Sequence, residues 1–283
     1  MTDALKYIHA QSTALVPSDV PEEICDLYRL YLALKNSSKA IITGAFTKQG
    51  LVDMKRLLEV VTGGEDKLAT RPIAIFDVCP SSPLMWSDIS CQNLIDCARF
   101  NIPAEIISAP QVGATSPVTL AGTLVQSNTE FLSGIVISQL TRKGAPVIYG
   151  GSPTIFDMKY CTSRLGAIES MIVACASSQI GKHYGLPTHA YLGLSDSKTV
   201  DAQSGFESSI GMVLGTLVGI NVISGPGMLI FENCQSLEKL VVDNEICGMS
   251  LRLVDGIIVD RDSLASEVIS KVGPGGHYLG EKH

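Results

Sequence analysis

Few residues in this 283-residue sequence carry reactive side chains in a recognisable pattern. Those that do follow short apolar runs. Asp77 and Cys79 follow Ile73–Phe76, Ser108 and Gln111 follow Ala104–Ile107, and Tyr149, Gly150 and Gly151 close Val147–Tyr149. Tyr191, Ser195 and Asp196 lie at or just beyond His189–Leu192, Ser224 and Gly225 follow Asn221–Ile223, and Asp157 and Lys159 lie in the loop after Gly151. The set is poor in histidine and rich in small and neutral polar groups. It contains no G-x-S-x-G elbow and no His-x-His or H-E-x-x-H pair, which argues against a hydrolase or a metal-centred site. A Schiff-base enzyme using Lys159 or Lys198 is a competing reading, although such lysines are usually buried at strand ends.

The elements that must hold these residues are recurrent. Seven near-continuous apolar runs, Ile8–Ala14, Ala40–Thr43, Ile73–Phe76, Ala104–Ile107, Val147–Tyr149, His189–Leu192 and Asn221–Ile223, read as parallel strands covered on both faces. Helix-period segments separate them. Asp19-Val-Pro-Glu22, Ser82-Pro83 and Ser116-Pro117 read as helix starts, and Ser204-Gly-Phe-Glu207 as a capping box that accounts for Glu207. The helix after Pro117 is expected to turn Leu120, Leu124, Phe131, Ile135 and Leu140 to one side. Glycines at Gly144 and Gly185 mark helix ends. Strands alternating with helices point to an α/β fold of the TIM (β/α)8 type, read as one domain over residues 1–283. No G-x-G-x-x-G turn favours the doubly wound alternative. Seven strands leave the barrel one short.

Apolar residues make up 46% and charged residues 17%, and the net charge is 21 − 28 = −7. That composition supports a large core and excludes a nucleic-acid binder, which needs clustered lysine and arginine. Neither a secretory leader nor a membrane span of about 20 apolar residues is read. Eight scattered cysteines without a C-x-x-C pair read as buried thiols of a cytoplasmic protein, with no metal site.

Several stretches resemble the trimethylamine methyltransferase family. They are Gly113-Ala-Thr-Ser-Pro-Val-Thr-Leu-Ala-Gly122, Gly144-Ala-Pro-Val-Ile-Tyr-Gly-Gly151, Leu194-Ser-Asp-Ser-Lys-Thr-Val-Asp-Ala-Gln-Ser-Gly205, Leu237-Glu-Lys-Leu-Val-Val-Asp-Asn-Glu-Ile246 and Gly273-Pro-Gly-Gly-His277. The resemblance implies a TIM barrel that moves a methyl group from a methylated amine to the cobalt of a corrinoid (cobalamin) carried by a separate corrinoid-binding protein. Members acting on trimethylamine contain pyrrolysine, expected near Tyr191–Lys198, where this sequence has ordinary residues. It therefore looks more like the branch that includes glycine betaine methyltransferases. A quaternary ammonium needs only aromatic faces and a carboxylate. The expected substrate site is Trp86, Tyr149, Phe156 and Tyr191 with Asp77 or Asp157. The expected corrinoid-facing residues are Gln111, Gly113, Gly150, Gly151, Ser195 and Asp196. Family chains are longer, so the eighth strand is expected upstream and the exposed seam is expected to make the chain a homo-oligomer. A non-catalytic ligand-binding remnant is the alternative.

Overall fold

The computed structural model describes residues 1–282. All seven apolar runs form strands: β1 (Ala10–Ser12), β2 (Ala40–Thr43), β3 (Ala74–Val78), β4 (Ala104–Ser108), β5 (Val147–Gly151), β6 (Thr188–Tyr191) and β7 (Val222–Ser224). They pair in chain order as one all-parallel sheet with β1 and β7 at its edges. The connecting helices are α1 (Glu22–Asn36), α2 (Lys48–Thr62), α3 (Glu65–Thr70), α4 (Asp88–Phe100), α5 (Leu120–Thr141), α6 (Ile168–His183) and α7 (Ala202–Val218). After β7 come α8 (Leu237–Asp255) and α9 (Ser266–Val272).

Strand alternation sorts the side chains into two sets. Ile41, Ala74, Phe76, Val78, Ala104, Ile106 and Tyr149 join Leu51, Met54 and Leu58 of α2, Leu94 and Cys97 of α4 and Phe131 of α5 in the main core, between the sheet and its helices. The intervening residues, among them Asp77, Glu105, His189 and Ser224, face the lumen. No strand pairing joins β7 to β1 among the described residues. Helix α8 spans that gap instead. Its Asn244 Oδ1 accepts from the Tyr7 backbone N–H at 2.9 Å, and Leu240 and Cys247 pack with Ile8 and Met212. Gly248 lets this happen, since a Cβ there would lie 2.5 Å from the Tyr7 ring.

Buried carboxylates on the helices hold the loops at the C-terminal ends of the strands. Asp26 accepts from the backbone of Phe46 and Thr47, while its partner Arg29 donates to the carbonyls of Thr13 and Gly44. Glu130 of α5 accepts from Ser82 Oγ, Leu84 N and Ser108 Oγ, tying the loop after β3 to the end of β4. Asp243 of α8 accepts from Gly227 N at 2.6 Å and pairs with buried Lys239, which also donates to Ser208 Oγ.

These contacts correct several helix readings. Helix α1 begins after Pro21 without a side-chain cap, so Asp19 does not cap it. Helices α4 and α5 are capped by Ser87 and Thr119, downstream of the proline dipeptides. On α5 Leu140 is 84% exposed and Glu130 only 1%, because the hydrogen bonds Glu130 makes outweigh its polarity. Helix α7 is capped by Asp201, with Ser204 completing that box. Glu207 is a buried anchor: it accepts from Ser195 Oγ at 2.6 Å and Asp196 N at 2.9 Å. The thiols are not all buried either, since Cys79, Cys161 and Cys234 are exposed.

Because Glu207→Ala strands a buried hydroxyl and a buried N–H, it should cost about 2–4 kcal/mol in urea unfolding. Ser204→Ala, which loses only a cap, should cost about 1 kcal/mol. Equal costs would return Glu207 to a capping role.

Candidate functional site

The lumen at the C-terminal end of the sheet holds a cluster of ionisable groups. Asp77 is the penultimate residue of β3, Glu105 lies in β4, His189 and Tyr191 in β6, and Ser224 ends β7. Pairing of Asp77 with Glu105 in register brings their carboxyls to the same side of the sheet. His189 and Ser224 lie on the same face of neighbouring strands, where Val222 pairs with His189 and Ser224 with Tyr191.

His189 sits between two oxygens. Its Nε2 is 2.9 Å from Ser224 Oγ, and its Nδ1 is 2.7 Å from Glu105 Oε1, although the ring N–H does not point along that second line. The Tyr191 ring stands edge-on to the imidazole, with centroids 4.8 Å apart. Burial drives the His189 pKa down to about 4, against a raising effect of the Asp77 charge, so the imidazole is neutral at pH 7. Burial raises Glu105 to about 7, against a lowering hydrogen bond with Asp77. Asp77 is raised well above the ordinary range by burial and then by Glu105. Asp77 Oδ1 and both Glu105 oxygens receive no hydrogen bond from other groups. The hydrogen-bond effect raises Asp77 and lowers Glu105, so of the two carboxyls Asp77 is the one that holds a proton toward the other.

Glu232 adds a third carboxyl at the mouth. Ile230, Phe231 and Glu232 have φ values of 51°, 44° and 74°, three consecutive left-handed non-glycine residues. Their loop is anchored by Ile230 N to Ser197 O and by Gly227 N to Asp243. Glu232 keeps solvent contact, and the enclosing walls, then the Asp77 charge, raise it to about 7. Among the described residues, no lysine or arginine acts on Asp77, Glu105 or Glu232. Arg164 is engaged by Asp157 and Lys239 by Asp243. The mouth is thus an acidic funnel without its own counter-charge, suited to a cation.

Of the residues expected around a substrate, Asp77 and Tyr191 meet in this funnel. Tyr149 does not. It faces the helices, with its ring centroid 4.0 Å from that of Phe131 and its hydroxyl donating to Asn128. Trp86 also lies outside the lumen, its indole N–H donating to Ser133 of α5. Asp157 is held by Arg164 Nε and Nη2 and by the backbone of Lys159 and Tyr160, contacts that keep its carboxyl below the ordinary range. Phe156 pairs with Ser163 in a small sheet formed by Gln111–Val112, Thr154–Asp157 and Thr162–Arg164.

The six residues expected to face a corrinoid are occupied by the protein itself. Gln111 donates to Ser163 Oγ, and a Cβ on Gly113 would meet Met158 at 3.2 Å. Gly150 is closed over by the Ile106 carbonyl and Ile107, and Gly151 faces Ser177 of α6. Ser195 lies under Glu207, and Asp196 is buried among Glu207, Gly166 and Leu165, with its carboxyl raised to about 6, first by burial. The small residues serve close packing of strands and loops. Among the side chains the rim exposes are apolar ones, Leu15, Phe46, Met85, Val118, Met158 and Val200, from the loops that follow β1 to β6.

Sequence reasoning passed over Glu105 and Glu232 and took His189 only as the start of the apolar run His189–Leu192. A lone glutamate inside the apolar run Ala104–Ile107 was the available signal for Glu105. Nothing in the sequence marks Glu232, whose direction is set by backbone conformation.

The shared proton has a measurable consequence. Between pH 4.5 and about 7 the folded state retains a proton on Glu105 that the unfolded chain releases. Glu105 therefore makes stability fall as pH rises through that window, by roughly 3 kcal/mol at most. His189, lowered from 6.5 to about 4, works in the opposite sense, adding stability as pH rises over its own window. Glu105→Gln isolates the first effect: its Tm relative to wild type should be higher at pH 8 than at pH 5. A pH-independent difference would rule out the raised pKa.

The sequence model of the trimethylamine methyltransferase family matches residues 1–283. A glycine betaine methyltransferase of Desulfitobacterium hafniense is 35% identical over 285 residues, covering 100% of this chain and 60% of the relative. A trimethylamine methyltransferase of Methanosarcina barkeri is 43% identical over 220 residues, 78% of this chain and 44% of its own length. The chain thus spans about 60% or less of the length of these relatives. Among solved structures, the hydroxylamine complex of MtmB superposes with a TM-score of 0.58 at 11% identity, over 88% of this chain and 54% of that one. A Yersinia pestis DHPS gives 0.53 at 10% identity, over 87% and 82%. These are likenesses of fold, and they agree with a curled parallel sheet of the TIM-barrel type. With its whole length matched by the family model, the chain belongs to the trimethylamine methyltransferase family.

Proposed function

We infer that this chain forms the amine-binding barrel of a methyltransferase that takes a methyl group from a methylated ammonium ion. The observation that carries this reading is the acidic funnel of Asp77, Glu105 and Glu232, with no neighbouring lysine or arginine among the described residues. Tyr191 supplies an aromatic wall beside it. The family's named members, a glycine betaine and several trimethylamine methyltransferases, support the reaction class.

The methyl acceptor is a corrinoid presented by a separate protein, which supplies a strongly nucleophilic metal centre when bound. The rim side chains fit such a visitor, since six loops offer apolar surface around the mouth. The chain's own residues would do three things. Asp77 and Glu232 would balance the charge of the ammonium. Tyr191 would pack against its methyl groups. The proton shared by Asp77 and Glu105 would pass to the departing amine, whose nitrogen regains a lone pair when the carbon–nitrogen bond breaks. Strands β1 and β7 pair with no strand on their outer sides, although α8 spans the gap between them, and these edges support association with further polypeptide, including a homo-oligomer. A monomer in equilibrium sedimentation would count against that association.

Binding of methylated ammonium ions should raise Tm by mass action. Asp77→Asn should weaken that binding at least tenfold in calorimetry, while Asp157→Asn, outside the funnel, should leave it within twofold. Equal effects of the two variants would place the site elsewhere.

A further inference from the structure

The base of the barrel, opposite the mouth, holds an open cavity of about 320 Å³. It lies at the starts of β2 to β6 and is lined by Pro72, Pro103, Pro146 and Pro187 with Ile75 and Ile148. Each proline stands just before a strand, where its missing N–H costs the ladder nothing. The carbonyls of Pro103, Pro146 and Pro187 already accept from the N–H groups of Phe76, Ala104 and Tyr149. A bound water needs several polar partners and finds few here, so the cavity suits aliphatic side chains.

The segment after α8 carries such side chains in solvent. No residue from 251 to 282 is buried, and Ile257, Ile258 and Val259 are 89%, 74% and 74% exposed. Three consecutive aliphatic residues in water mark a surface that another surface covers. Helix α9 has seven residues and none of them buried, too few to persist in water without support. Charge matches as well. Asp255 and Asp260 flank the aliphatic run. On the base, exposed Arg71 adjoins Pro72, and exposed Lys143 and Lys182 stand shortly before Pro146 and Pro187. Among the described residues, these three cations take part in no ion pair.

We propose that the base is a docking site for a second copy of this chain, whose aliphatic run 257–259 enters the cavity while its Asp255 and Asp260 meet Arg71, Lys143 and Lys182. In a single copy the run lies outside its own cavity, and both stay uncovered. Two copies related by a two-fold axis satisfy both at once, since each gives a run and receives one. The docked run also closes the barrel beneath Glu105, because its register partner Ile148 lines the cavity. This contact is separate from the β1 and β7 edges and does not rest on the function proposed for the mouth.

Sedimentation of the full chain tests it. The wild type should form dimers. Ile258→Asp should raise the dimer dissociation constant at least tenfold. Asp255→Lys with Asp260→Lys should raise it at least fivefold, as should Lys143→Glu with Lys182→Glu. All four charge changes on one chain should bring it back to within threefold of the wild type. These side chains are all exposed in the single chain, so the variants leave the core untouched. Carbodiimide coupling of mixed isotopically light and heavy copies should join Asp255 or Asp260 of one copy to Lys143 or Lys182 of the other. A monomer, a dimer that Ile258→Asp leaves within twofold, or couplings confined to one copy would overturn the proposal and leave the proposed function standing.

Discussion

Most loops around the barrel mouth hang from a charged group that the protein has taken out of water. Removing a carboxylate from solvent is expensive unless hydrogen bonds and opposite charge replace the lost hydration. Asp26, Glu130, Glu207 and Asp243 are all buried, and each recovers its hydration from backbone N–H groups or hydroxyls of the loops. Each carboxylate also keeps a donor on its own helix: Arg29 for Asp26, Gln126 for Glu130, Gln203 for Glu207 and Lys239 for Asp243. The positions of Cys79, Asp196, Gly227 and therefore Glu232 follow from these anchors.

The lumen inverts that rule. Glu105 and Asp77 are buried without backbone donors, and only a shared proton and the flank of a neutral histidine accompany them. Such an arrangement destabilises the fold as pH rises. A sheet built for stability alone would fill this space with apolar side chains, as it does on its helix-facing side at Phe76, Ile106 and Tyr149. Strained or unsatisfied groups gathered at one end of a barrel are the usual mark of a binding or catalytic centre. Here they include three successive left-handed residues that bring Glu232 over the opening.

The separation of the two faces also explains why small residues are so frequent near the mouth. Gly150 allows the β4 backbone to close over β5, and Gly151 admits Ser177 from the helix layer. The room they create is used by protein atoms. The surface available to a large visiting partner comes from the tips of the loops, where apolar side chains stand in solvent.

The sequence alone determined the seven strands, their order and their parallel pairing. Apolar runs of this length, separated by helix-period segments, have few other ways to bury both faces. It also placed Asp77 and Tyr191 at strand ends, where the barrel mouth must be. Tertiary structure decided the rest, because strand-end position does not say which way a side chain points. A one-residue difference in register sends Tyr149 to the helices and His189 to the lumen. Local patterns also misassigned Glu207 and Leu140 and gave no sign that Glu130 is an anchor, since a capping motif and a helical face are read from neighbours in sequence. The groups these carboxylates bind, at Ser195, Asp196, Ser82 and Ser108, come close only when the sheet curls and the helices pack against it.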